Sequence, residues 1–130
     1  PLKKLILVDD DKIIVYLTKR LVTETNLVNL NQVFSNGEEA LNYLKENINK
    51  PDLLPDIIFL DLFMPIMNGW DFLDNYIDII PKINKKITIY IITSSVTQED
   101  ITRAKSYSIV SDYVVKPITK ENFISILKKI

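Results

Sequence analysis

Leu5-Ile6-Leu7-Val8-Asp9-Asp10-Asp11 is a run of four apolar residues cut off by three carboxylates. Successive side chains of a strand point to opposite faces, so an unbroken apolar run fits a strand covered on both sides. The same pattern returns at Ile57-Ile58-Phe59-Leu60, which also ends in a carboxylate, Asp61. Residues 87–92 read as the fourth strand and end in Thr93-Ser94-Ser95. A shorter one, Tyr113-Val114-Val115, ends at Lys116-Pro117, and residues 27–34 read as the second strand in chain order.

Between these runs the apolar period changes to that of a helix. Ile13, Ile14, Leu17, Leu21 and Val22 follow the first strand. Ser35 and Glu38 stand at capping-box spacing ahead of Ala40, Leu41, Leu44 and Ile48. Asn68-Gly69 precedes a helix with Trp70, Leu73, Ile77 and Ile80 as its expected inner stripe, and Thr97 and Asp100 cap one carrying Ile101, Ala104 and Tyr107. The last helix, from about Thr119, presents Phe123, Ile126, Leu127 and Ile130. Residues 50–55 hold two prolines and are expected to be loop. Strands alternating with helices predict parallel βαβ units in an α/β domain, here expected to span residues 1–130. No internal repeat, low-complexity tract or linker is visible.

Composition narrows the chemistry. Of 130 residues, 47% are hydrophobic and 25% charged, an ordinary globular mixture. A formal net charge of −1 lacks the basic excess that a nucleic-acid surface needs. With no cysteine and no histidine, disulfides, thiol catalysis, imidazole bases and most zinc sites are out. No apolar stretch is long enough for a membrane span, and the N-terminus does not read as a secretory signal, so a soluble cytoplasmic protein is expected.

In open parallel sheets, ligands bind beyond the carboxyl ends of the strands. Those ends carry Asp9 and Asp10, Asp61, Thr93 and Lys116. Singly, an Asp after a strand is ordinarily a turn former or helix cap, and a Lys before Pro is ordinarily a solvated loop residue. Turn chemistry does not explain why four strand ends carry such groups together. Two like charges ~4 Å apart repel by roughly 4 kcal/mol at an effective dielectric near 20, so three carboxylates call for a cation. Oxygen ligands point to a hard divalent ion, Mg²⁺. With Lys116 and the Thr93 hydroxyl, the group suits the oxygens of a transferring phosphoryl group. A carboxylate can serve as nucleophile, and Asp61 is the natural candidate.

The motifs Leu7-Val8-Asp9-Asp10, Leu60-Asp61-Leu62-Phe63-Met64-Pro65-Ile66-Met67-Asn68-Gly69, Ile92-Thr93-Ser94 and Tyr113-Val114-Val115-Lys116-Pro117 together resemble the receiver domain of two-component response regulators. Trp70 and the loop at 50–55 look most like small stand-alone receivers that serve bacterial phytochrome kinases. The resemblance implies a flavodoxin-like (βα)5 doubly wound sandwich with a five-stranded parallel sheet of order 2-1-3-4-5. It implies that Asp61 is the phosphoacceptor. Asp10, Asp61 and the main-chain carbonyl of Phe63 would bind Mg²⁺, with Asp9 helping through water. Thr93 would be the switch hydroxyl, Tyr113 the aromatic switch, and Lys116 the partner of the carboxylate or its phosphate, with a cis bond to Pro117. Asp11, one place beyond the usual pair, would start a helix.

The implied function is a phosphorelay step. A histidine kinase or phosphotransfer protein would donate to Asp61, and a surface of helix four, strand five and helix five would then switch toward a downstream target protein or a homodimer. Such a chain is not an enzyme in the usual sense; it catalyses only its own phosphorylation and dephosphorylation. Neither nucleic acid nor membrane is an expected partner. Two departures stand out: Phe63 occupies an often polar position that, with Ser95, flanks the water attacking the phosphoryl group, and the Thr93-to-Lys116 spacing is one residue long, assigned to residues 108–110. That spacing leaves Ser94 as a rival for the switch role. A haloacid-dehalogenase-type phosphatase would want a second acid where Phe63 stands. A degenerate receiver acting as a scaffold would have lost Asp61, Lys116 or the acid pair, and a nucleotide binder would need a Gly-rich loop.

Overall fold

The side chains of Leu5 to Val8 and of Ile57 to Leu60 are all buried, which requires cover on both faces of the sheet they form. The computed structural model describes residues 2–130, so Pro1, the first residue of the expected domain, lies outside the described residues. In chain order the elements are β1 (Lys3–Val8), α1 (Lys12–Thr25), β2 (Val28–Phe34), α2 (Gly37–Glu46), β3 (Ile57–Leu60), α3 (Gly69–Ile79), β4 (Thr88–Thr93), α4 (Gln98–Lys105), β5 (Val110–Val115) and α5 (Lys120–Lys128). The five strands pair in parallel in the order β2-β1-β3-β4-β5, the doubly wound, flavodoxin-like arrangement expected.

Period-two alternation divides the core. Ile6, Val8, Ile58, Leu60, Ile89 and Ile91 face Ala40, Leu44, Trp70, Phe72, Leu73 and Ala104 of α2, α3 and α4. Leu5, Leu7, Ile57, Phe59, Tyr90 and Ile92 face Phe123 and Ile126 of α5, with Val15, Leu21 and Val22 of α1 packed alongside. Each such side chain contributes roughly 1.5–3 kcal/mol when fully buried. The chain order reverses between β1 and β3, and that crevice holds Asp9 and Asp61.

Several local expectations shift. β5 has six residues, as many as β4, rather than being short, because Val110 and Asp112 also pair with β4. The β4–β5 register shifts once, just past residues 108–110: Ile89 pairs with Val110 but Tyr90 with Asp112, which leaves Ser111 without a partner in β4. The α2 cap is Asn36, not Ser35; its side chain accepts from Glu39 N, and Glu39 in turn accepts from Ser35. Thr97 caps α4, but the Asp100 carboxylate turns to the Ser95 hydroxyl instead of closing the box. In α3 the inner face is Trp70, Leu73, Phe72, Tyr76 and Ile79, while Ile77 points outward. Ile13, counted with the inner face of α1, is 70% exposed. Residues 50–55 include one 3-10 turn, Pro51–Leu53, since proline is well suited to a first helical position.

Candidate functional site

Register brings the acidic ends together. Val8 pairs with Leu60, so the next residues of the two strands, Asp9 and Asp61, leave the sheet side by side. Asp61 N donates to Val8 O (2.9 Å) and Asp9 N to Phe34 O (2.8 Å), fixing both backbones. Asp9 Oδ1 accepts from Asp11 N (2.9 Å), and Asp11 caps α1 by accepting from Ile13 N and Ile14 N, the helix-start role expected of it. Asp61 Oδ1 accepts from Leu62 N (2.8 Å). Gly69 is required close by, because a β-carbon there would collide with the main-chain oxygen of Asp61.

Lys116 reaches in from the end of β5. Its main-chain N donates to Thr93 O (2.8 Å), and the bond to Pro117 is cis, as expected. Its ammonium lies 2.8 Å from Asp9 Oδ2 and 3.3 Å from Asp61 Oδ2. Burial pushes the Asp9 carboxyl up to about 6, against the pull of Lys116. Asp61 is raised in the same direction by burial, opposed by Lys116. Burial disfavours the Lys116 ammonium, but the two carboxylates outweigh it and hold its pKa above the ordinary lysine value.

One carboxylate oxygen from each of Asp9, Asp10 and Asp61 lies within 4.8 Å of the other two. Asp9 Oδ2 is buried, and the Lys116 ammonium 2.8 Å away is the one positive group against it. Three carboxylates facing one ammonium carry a surplus negative charge, and all donors are hard oxygens, so the set fits a divalent ion of the Mg²⁺ type.

Thr93 is fully buried, and its hydroxyl favours the charged form of Asp61. Ser94 is exposed. Tyr113 is half-buried and donates its hydroxyl to Ser95 O (3.0 Å), while Ser95 Oγ donates to Asp100 Oδ2 (2.5 Å). Sequence reading missed this node: the Tyr113 and Ser95 contact spans 18 positions, and nothing local announces it. The Phe63 side chain is 53% exposed beside the cluster.

Residues 5–128 match the sequence model of the response regulator receiver domain. The chain belongs to that family. Receivers are signalling modules of two-component systems rather than conventional enzymes, and they work with histidine kinases and downstream targets. This receiver is 29% identical to the chemotaxis protein CheY of Thermotoga maritima over 128 residues, covering 98% of this chain and 97% of that one. A two-component response regulator from Cytophaga hutchinsonii superposes with a TM-score of 0.86 at 28% identity, covering 98% of this chain and 96% of that one. The bacteriophytochrome response regulator RtBRR does so at 0.76 and 29% identity, over 98% of this chain and 77% of that one. The receiver spans about half the length, 48% and 51%, of the DctR regulators it also matches. The family match sets aside the phosphatase alternative. No helix among the described residues is long and apolar enough to cross a membrane.

Proposed function

We propose that Asp61 accepts a phosphoryl group from a phosphohistidine and that this switches the α4-β5-α5 surface for partner binding. The observation that supports it most is the Lys116 ammonium held between Asp9 and Asp61, 2.8 and 3.3 Å from their oxygens, at the edge of the three-carboxylate cluster. A carboxylate oxygen of Asp61 attacks phosphorus; the O–P bond forms, the P–N bond to imidazole breaks, and the leaving imidazole takes up a proton from solvent. Lys116 then pairs with the new phosphate, and the Thr93 hydroxyl donates to one of its oxygens. Asp10, Asp61 and the Phe63 main-chain carbonyl would hold Mg²⁺, with Asp9 acting largely through water. When bound, that ion neutralises charge on the phosphoryl oxygens.

The product adds about −1.5 to −2 charge at neutral pH. Drawing Thr93 inward reshapes the loop that carries Ser95, whose carbonyl holds the Tyr113 hydroxyl and whose side chain holds Asp100 of α4. Tyr113 is thus the aromatic switch. The donor is a histidine kinase or phosphotransfer protein, the reader a downstream target protein or a second copy, and the setting cytoplasmic; neither nucleic acid nor membrane takes part. The chain acts catalytically only on its own phosphorylation and dephosphorylation.

The test is incubation with acetyl phosphate and Mg²⁺, followed by intact mass. One added phosphoryl group is expected, lost with EDTA and lost in Asp61→Asn. Label that persists in Asp61→Asn moves the acceptor elsewhere.

A further inference from the structure

Ile66 has φ +69°, one of two non-glycine residues among those described with positive φ. The other, Asn26, is a helix C-cap, where asparagine is at home. Ile66 is β-branched, the side-chain type least tolerant of that region. It is the central residue of a tight turn, since Met67 N donates to Pro65 O (2.7 Å), a γ-turn of the rare positive-φ kind.

The surroundings hold the turn in place. Gly69 N donates to Leu62 O (2.9 Å), closing the loop at its base against Asp61, and Asn68 caps α3 by accepting from Asp71 N. Gly37 N donates to Met67 O (2.9 Å), and a β-carbon on Gly37 would stand 3.0 Å from Met67. Met64 and Met67 pack against the core, while Phe63 and Ile66 face outward. Ile66, at the tip, is 76% exposed, so its side chain gains little burial to set against the backbone strain, and the turn is held by its neighbours' hydrogen bonds. Strain held in place by the surrounding structure clusters at active sites and ligand clamps, which directs attention to this tip.

We infer that Ile66 is an apolar contact for the protein that delivers the phosphoryl group; this rests on Asp61 being the acceptor. Asp61 is only 4% exposed, so a phosphorylated side chain reaches it only when the donor's surface closes over the surrounding loops. The loop from Leu62 to Asn68 is one of those loops, because it leaves Asp61 and returns to it through Gly69. A small phosphodonor needs no such closure. Ile66 therefore discriminates between a macromolecular and a small donor, and an apolar side chain there requires an apolar patch beside the donor's phosphohistidine.

The experiment compares Ile66→Asn, which relieves the backbone, with Ile66→Met, which keeps the apolar tip. Each is labelled with acetyl phosphate, and separately by a histidine phosphotransfer protein phosphorylated on histidine and chosen because it labels the unaltered chain. Acetyl phosphate labelling is expected to be unchanged in both. The half-saturating concentration of the protein donor should rise about fivefold or more in Ile66→Asn, with maximal rate kept, and return toward normal in Ile66→Met. Unchanged transfer to Ile66→Asn overturns the inference. So does loss of acetyl phosphate labelling in that variant, which would make Ile66 part of the site itself. If the unaltered chain takes no label from acetyl phosphate at Asp61, the acceptor reading fails first and this contact falls with it.

Discussion

The guanidinium of Arg103 lies 4.5 Å from the ring centroid of Trp70, the single tryptophan of the chain. Tyr107 stacks on the same indole at 5.9 Å and donates its hydroxyl to Asp74 (2.6 Å). These contacts fasten α4 and the residues just after it to α3, the helix whose first residue abuts Asp61. A cation over an indole is worth about 0.5–1 kcal/mol at partly exposed sites. Arg103→Ala should lose about that much, read from urea denaturation followed by Trp70 fluorescence, with a changed emission in the folded state. Native emission identical to that of the unaltered chain would mean the guanidinium does not sit on the ring.

Gly69 carries a different load. Alanine there would drive a methyl group into the Asp61 main chain, with no flexible side-chain end to yield. Overpacking of this kind costs about 1–3 kcal/mol, and a backbone obstacle belongs at the upper end. Gly69→Ala is expected to lower the denaturation midpoint by that measure and to slow labelling of Asp61. A variant as stable as the parent would show that the loop can move aside.

Divalent ions should stabilise the fold through the acidic cluster. A ligand that binds only the folded chain adds about 2.7 kcal/mol at a hundred times its dissociation constant. Calorimetry in rising Mg²⁺ should show an increasing midpoint for the parent and little change for Asp10→Asn. Asp10 is exposed, so its replacement leaves the packing alone. An equal gain in Asp10→Asn would place the ion elsewhere.

Proton linkage adds a pH signature in chelator. Burial raises the Asp9 carboxyl from 3.8 to about 6, so across that window the folded chain holds more protons than the unfolded one. Stability from this group is present at low pH and falls as pH rises, with the loss complete above about 6. Asp61 is shifted the same way. Asparagine at position 9 abolishes that site's own titration, so Asp9→Asn should gain on the parent between about pH 4 and 7 in EDTA. A melting-temperature gap that stays flat across this range would contradict the assignment.

Much of the fold is legible residue by residue. Leu5 to Val8 and Ile57 to Leu60 announce buried strands because a strand exposed on either face would not tolerate apolar side chains at every position. Their abrupt ends at Asp9 and Asp61, with Lys116 ending the last strand, mark the site before any coordinates, since strand ends in such sheets share one edge. Less legible is anything that depends on a neighbour distant in sequence. The Ser111 bulge arises from pairing with β4, and Ile77 and Ile13 face outward because of how α3 and α1 seat on the sheet. Apolar period alone places them within about one residue of the inner face, not on one side of its edge.

The amino-acid order determined the alternation of elements, the covered sheet and the identity of the charged strand ends, because hydrophobic period and punctuation are local properties. Only the tertiary structure decided that Tyr113 and Asp100 both hold Ser95, that Arg103 rests on Trp70, and that Ile66 occupies a strained, outward turn. Those features come from side chains and backbones that meet across the fold, and the energy of such a meeting is not written in either partner's own neighbourhood.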